Sequence, residues 1–284
     1  MAYWQWGSPT AAHVVVCVHG LARQGRDFDT LASSLVEKAK GNIRIICPDV
    51  LGRGQSDWLK DPAFYTIPTY AADMLVLLAQ LNAHSPIAKL DWFGTSMGAL
   101  IGLVMCGQPG LPLPISVNRF VINDIGPAIE WVSLVRIGES LGLPVTFDSV
   151  QQGADALRVI SASFGPHTPE QWLTLCKPQL RPVGDAPGSK LRFHYDPALA
   201  APFKSATEAS TLDDEKTLWR LYDNITAQTL LLRGAQSDLL SPATAQAMTQ
   251  RGPKARLVEF AGVGHAPTVI AADQLAVVSG FLLD

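Results

Sequence analysis

Several stretches of this chain are apolar at every position rather than at alternate ones, and that narrows the folds open to it. Val14-Val15-Val16-Cys17-Val18 runs into His19-Gly20, and Ile43-Arg44-Ile45-Ile46-Cys47 is closed by Pro48. Lys89-Leu90-Asp91-Trp92-Phe93 and residues 119–124 have the same character. A strand apolar on both sides needs cover on both faces, which a parallel sheet between two layers of helices provides. Helix-period segments lie between these runs. Residues 28–40 place Leu31, Leu35 and Val36 on one face with Gly41 as a stop, and residues 70–81 form a second helix. The pattern predicts an α/β fold.

The alternation fails between residues 127 and 224. Helix-like pieces at 131–141, 149–163 and 213–221 are separated by breaks such as Arg181-Pro182-Val183-Gly184-Asp185-Ala186-Pro187-Gly188. The rhythm then resumes with a strand at 228–233, a helix at 241–250 with Pro242 in its first position, a strand at 255–260 and a helix at 267–283. The expected organisation is a core in two parts, 1–126 and 225–284, with a helical cap at 127–224 between them.

Composition excludes some functions. Hydrophobic residues make up 48% of the 284 positions and charged ones 17%, as in a compact globular enzyme. A net charge of −3 supplies no basic face for nucleic acid or an anionic membrane. Met1-Ala2-Tyr3-Trp4-Gln5-Trp6 has no basic start before an apolar core, and no apolar run is long enough to span a bilayer. Cys17, Cys47, Cys106 and Cys176 form no close pair, which suits a reducing cytoplasm. No metal-site spacing and no glycine-rich phosphate fingerprint occur, so no cofactor or metal is expected, only a small-molecule substrate. The oligomeric state stays open.

Gly94-Thr95-Ser96-Met97-Gly98 joins a strand signal to an apolar helix signal. A serine with glycines two before and two after, at such a turn, is the pattern of a nucleophile elbow. Its three fixed positions would match by chance roughly 0.1 times in a chain of this length at average composition. Partners give the pattern weight. Serine needs a base, and the base needs a carboxylate to fix its tautomer. In open α/β sheets these groups sit just beyond the carboxyl ends of strands. Asp238 follows one strand and His265, in Gly262-Val263-Gly264-His265, follows the last. The expected catalytic set is therefore Ser96, His265 and Asp238. Asp124 also ends a strand and is the alternative acid, although capping of the following turn is the more ordinary use for it.

A developing oxyanion needs donors. Met97, immediately after the serine, offers one N–H, and Leu21, in the loop after the first central strand, offers the other. His19 reads as a buried, hydrogen-bonded residue shaping that loop. In Pro48-Asp49-Val50-Leu51-Gly52-Arg53-Gly54-Gln55-Ser56-Asp57 an arginine–aspartate pairing is expected to brace the loops. Arg23 and Arg26 are candidates for a substrate carboxylate. Trp131, Trp172 and Phe164 either wall an apolar pocket or form the packing core of the cap.

On His19-Gly20, the loop at 48–57, the pentapeptide, Asp238 and Gly264-His265, the chain resembles the α/β-hydrolase superfamily over nearly its whole length. The resemblance implies an eight-stranded, mostly parallel sheet with a helical cap inserted after strand 6. It also separates subfamilies. Haloalkane dehalogenases and soluble epoxide hydrolases carry aspartate where Ser96 stands, the Gly-Pro-Gly oxyanion loop common in C–C hydrolases is replaced by Leu21-Ala22-Arg23, and the His-Gly-Gly-Gly of bulky-alcohol esterases is unmatched. The expected activity is cleavage of a small to medium carboxylic ester through an acyl-enzyme on Ser96. The alternatives are C–C bond hydrolysis of ring-fission products by the same triad and a non-turnover ligand sensor on the same fold.

Overall fold

The computed structural model describes residues 1–284. In chain order the core begins with β1 (Tyr3–Gly7), β2 (His13–Val18), α1 (Asp29–Lys38), β3 (Arg44–Pro48), α2 (Ile67–His84), β4 (Lys89–Thr95), α3 (Met97–Gly107) and β5 (Val117–Asn123). A segment of α4 (Trp131–Ser140), α5 (Val150–Ile160), α6 (Pro169–Cys176), β6 (Leu180–Pro182), β7 (Leu191–Phe193), α7 (Ala201–Ser205) and α8 (Glu208–Asp223) follows. The core resumes with β8 (Gln228–Gly234), α9 (Pro242–Met248), β9 (Arg256–Phe260) and α10 (Ala272–Leu283). No helix is long and apolar enough to cross a membrane.

Seven strands, in the order β1-β3-β2-β4-β5-β8-β9, form the main sheet, and all pairs but β1–β3 are parallel. The expected eighth strand is not there. One antiparallel strand, β1, precedes β2, and the helical segment leaves the sheet after its fifth strand rather than a sixth. β6 and β7 pair only with each other, as a small antiparallel hairpin.

The continuous apolar runs are two-faced, as the parallel arrangement requires. Val14, Val16 and Val18 of β2 pack with Trp92, Phe120 and the helices α2 and α3, while Val15 and Cys17 pack with Phe93, Val121 and residues of α1 and α10. All five are fully buried, and burying each valine contributes about 1.5–3 kcal/mol relative to exposure. The charge inside β4 is matched as well. Buried Asp91 accepts hydrogen bonds from the Arg119 N–H at 3.0 Å and the Asn118 amide at 3.1 Å, and meets His13 Nε2 at 2.7 Å.

Helix α3 rests on this sheet through glycines four apart, which lie on one helix face. A Cβ on Gly98 would fall 2.0 Å from the Val18 carbonyl oxygen, and one on Gly102 would fall 2.6 Å from the Phe120 ring and 2.7 Å from Trp92 Nε1. Trp92 Nε1 in turn donates to the Gly98 carbonyl at 3.2 Å. The chain therefore turns from β4 into α3 with almost no clearance.

The segment between β5 and β8 has its own small core of Ala154, Leu157, Trp172, Leu175 and Cys176. It is tied to the sheet's carboxyl edge at several points. Gln179 donates to Asp27 Oδ1 at 2.6 Å, Tyr65 donates to Asp196 Oδ2 at 2.6 Å, and Gln24 donates to the Pro178 carbonyl.

Gly102→Ala is expected to lower stability by about 1–3 kcal/mol, the usual cost of overfilling a packed core. Urea unfolding measures it, and an unchanged midpoint would mean that α3 does not seat this closely.

Candidate active site

The sheet order reverses direction between β2 and β4, since β3 lies on one side of β2 and β4 on the other. At such a switch point the loops after the two strands diverge and leave a crevice at their carboxyl ends. The loop after β2 carries Gly20 and Leu21, and the turn after β4 carries Ser96.

Ser96 has φ +51° and ψ −116°, a left-handed-side conformation that costs an L-residue energy and persists only where its surroundings enforce it. The enforcement is visible. A Cβ on Gly94 would lie 2.4 Å from the Gly98 carbonyl group and from Ala99 N, so neither flanking position accepts a side chain. The Ser96 N–H donates to the Asn123 carbonyl at 3.0 Å, tying the turn to β5. The serine side chain is left half-buried at the sheet's edge.

His265 lies five residues beyond β9, and its ring bridges two groups. Nε2 is 3.0 Å from Ser96 Oγ, and Nδ1 is 2.8 Å from Asp124 Oδ2. A carboxylate only accepts, so Nδ1 carries the proton and Nε2 faces the hydroxyl with a lone pair. Asp124 is fully buried. Its Oδ1 accepts from the Gly234 N–H at 2.7 Å and its Oδ2 from Ser237 Oγ at 2.7 Å. Three donors hold the carboxylate, which keeps a buried negative charge in place at tolerable cost. Its backbone, at φ +59°, is in the left-handed region that aspartate tolerates better than most residues.

Asp238 is elsewhere. Its carboxylate meets Arg136 Nη2 at 2.5 Å on the surface, and its carbonyl accepts from Ser133 Oγ at 2.7 Å, so it fastens α4 to the loop after β8. The position next to the imidazole belongs to the alternative acid, Asp124. The reason is strand adjacency: β5 lies directly beside β4, whereas β8 is one strand further out. From β8 the loop sends the Gly234 N–H and Ser237 inward to the carboxylate and turns Asp238 outward.

The loop after β2 is fixed from both ends. His19 is fully buried; Nδ1 donates to the Gly20 carbonyl at 2.7 Å and Nε2 accepts from the Val50 N–H at 3.0 Å. Burial pushes its imidazole down to about 3, and nearby Arg53 and Arg23 act in the same direction against the Gly20 bond, so it is neutral and structural. The trans peptide that presents the Gly20 carbonyl to His19 points the Leu21 N–H the opposite way. That N–H has no acceptor within the protein. The Leu21 carbonyl is gripped by Arg53 Nε at 2.7 Å. Met97 is the first residue of α3, so its N–H has no intrahelical acceptor either.

Arg53 is fully buried and braces the loops without an aspartate, contrary to the expected pairing. It donates to the Leu51 carbonyl at 2.6 Å and Tyr70 Oη at 2.9 Å, and lies 3.2 Å from Met97 Sδ. Asp49 instead accepts from the N–H groups of Gly25 at 2.8 Å and Gln55 at 2.9 Å. Arg23 is engaged by Asp27 at 2.7 and 2.8 Å and lies over Phe164, and Arg26 is engaged by Asp29. Trp172 is buried against Phe164, with ring centroids 6.4 Å apart, and belongs to the packing core of its segment. Trp131 begins α4 and is partly buried.

Two contributors carry no sequence signal of their own. Asn123 donates to Thr95 Oγ1 at 3.0 Å and to the Pro267 carbonyl at 2.8 Å, joining the serine strand to the histidine loop. Ser163 accepts the Gly264 N–H on its carbonyl at 2.6 Å and donates its hydroxyl to the His265 carbonyl at 2.6 Å.

Comparison with known proteins agrees with this architecture. The chain is 46% identical to a 3-hydroxybutyrate-oligomer hydrolase of Cupriavidus necator over 281 residues, covering 99% of this chain and 92% of that one. The crystal structure of an alpha/beta hydrolase from Novosphingobium aromaticivorans superposes with a TM-score of 0.82 at 30% identity, covering 99% of this chain and 93% of that one. A crystal structure from Rickettsia typhi gives 0.83 at 28% identity, with 99% and 90% covered. The profile of the alpha/beta hydrolase family matches residues 15–278, and with nearly the whole chain inside that match the protein belongs to this family.

Proposed function

We propose that this protein is a serine hydrolase of carboxylic esters whose substrates are short oligomers of 3-hydroxybutyrate. The observation that carries the reaction type is the imidazole of His265 held between Ser96 Oγ at 3.0 Å and Asp124 Oδ2 at 2.8 Å. The substrate class rests on the likeness to the Cupriavidus necator hydrolase along 99% of the chain.

Ser96 Oγ attacks the ester carbonyl while its proton passes to His265 Nε2. Asp124 keeps the proton on Nδ1 and stabilises the imidazolium. The carbonyl oxygen, now negative, takes hydrogen bonds from the Leu21 and Met97 N–H groups, which have no competing acceptor to give up. Collapse expels the alkoxide, the 3-hydroxyl of the neighbouring unit, which takes the proton from Nε2. Water, deprotonated by the same imidazole, then releases the acid from Ser96. These steps call only on side chains, backbone amides and water. The segment at 127–224 acts as the cap over the site, a reading that its bonds to the His265 loop support.

Chromatography of a purified 3-hydroxybutyrate trimer after incubation should reveal monomer and dimer, and Ser96→Ala should abolish their release. Hydrolysis of p-nitrophenyl acetate with an intact trimer would leave the esterase and remove the oligomer. Turnover of neither ester would remove both.

Asp124→Asn should lower kcat by about four orders of magnitude, the loss expected when the base's tautomer is no longer fixed. Asp238→Asn should change kcat by less than about threefold, because an exposed ion pair contributes little. The opposite ranking in folded variants would return the acid to Asp238.

Arg53→Met frees the Leu21 carbonyl and so loosens one oxyanion donor. Loss of a donor costs about 10²–10³ in kcat, so loosening one should cost about 10–100-fold, with KM little changed. A rise in KM at constant kcat would assign Arg53 to substrate binding instead.

A further inference from the structure

The β6–β7 hairpin sets Arg181 directly opposite Arg192. Like charges in that register repel, and no carboxylate offsets them, since neither guanidinium takes part in an ion pair. The nearby carboxylate of Asp148 reaches Lys190 instead, at 3.5 Å. Both guanidiniums lie over one indole, that of Trp58, at 5.5 and 5.3 Å from its centroid. Arg192 Nε is buried there without a hydrogen-bond partner. A buried donor left unpaired is costly, so the arrangement is unfavourable as it stands.

Trp58 and Arg181 also border an open cleft of about 410 Å³, together with His194 and the stretch from Gly54 to Ser56, while Arg192 stands behind it over the same indole. Burial, and then the two arginines, push the His194 imidazole down to about 4, so at neutral pH it adds a hydrogen-bonding group without a third charge. The cleft thus presents the forked donors of Arg181, an aromatic face and a neutral imidazole with no acid among its lining residues. That is the chemistry of an oxyanion receptor, because a guanidinium matches the two oxygens of a carboxylate or phosphate.

We propose that this cleft, walled by Trp58 and Arg181 and backed by Arg192, binds a small carboxylate or phosphate. The bound anion pairs with the Arg181 fork in the cleft, and its charge offsets the repulsion between Arg181 and Arg192. The site is separate from Ser96 and stands whether or not the ester reading does.

Calorimetric titration of the whole protein with orthophosphate, and separately with butyrate, at ionic strength fixed with sodium chloride, tests it. At least one anion is expected to bind saturably, and Arg181→Gln is expected to weaken it about tenfold or more, a factor equal to about 1.4 kcal/mol, with Arg192→Gln weakening it less. Binding of phosphate alone names a phosphate as the ligand, and binding of butyrate names a carboxylate. Should a glutamine variant fail to fold, Arg181→Lys keeps the charge and loses the fork, and the same weakening is read there. No saturable binding of either anion, or binding unaltered by these substitutions, overturns the proposal.

Discussion

The close seating of α3 on the sheet is the constraint from which the site follows. With Gly98 against the Val18 carbonyl and Gly94 against the first turn of the helix, the chain has one way to pass from β4 into α3. That path puts Ser96 in a conformation it would not choose, with its hydroxyl outward. It also brings the first amide of α3 beside the loop that leaves β2. Ser96 and the unpaired amides of Leu21 and Met97 thus share one packing solution. The strain at the serine is borne by the burial of Trp92, Phe120 and the valines of β2 below it.

Much of this was legible from the residues. Uniformly apolar runs require a sheet covered twice, and the glycine spacing around Ser96 requires a tight strand-to-helix turn. The choice of acid was not legible. Asp124 and Asp238 each follow a strand, and their sequences do not say that β5 is the neighbour of β4 while β8 lies beyond it. Nor could the sequence say that Ser237 and the Gly234 amide serve the other aspartate. β1 was missed because Tyr3-Trp4-Gln5-Trp6-Gly7 is short and mixes exposed with half-buried positions, a weak signal for an edge strand. β6 and β7 are three residues each, and their pairing is settled by tertiary contact. The eighth strand was borrowed from the family's usual plan, and this chain has one antiparallel strand ahead of β2.

Buried polar groups in the loops divide between holding and reacting. His19, Arg53 and Asp49 are tied up in bonds that fix the backbone around Leu21 and Gly25. Asp124 has its bonds arranged around a ring that faces the crevice. The difference is one of direction: the first three point into the protein from the loops they fix, whereas Asp124 points along the sheet's edge toward a partner on another loop.

Ser163 grips the backbone on both sides of the Gly264–His265 peptide, and His167 Nε2 meets Thr268 Oγ1 at 2.8 Å just beyond. The imidazole's mount is therefore shared between the sheet and the helical segment lying above it. A displacement of residues 161–168 would carry the backbone of His265 and Thr268 with it. The setting of the ring against Ser96 and Asp124 is in this way geared to the helical segment by three hydrogen bonds.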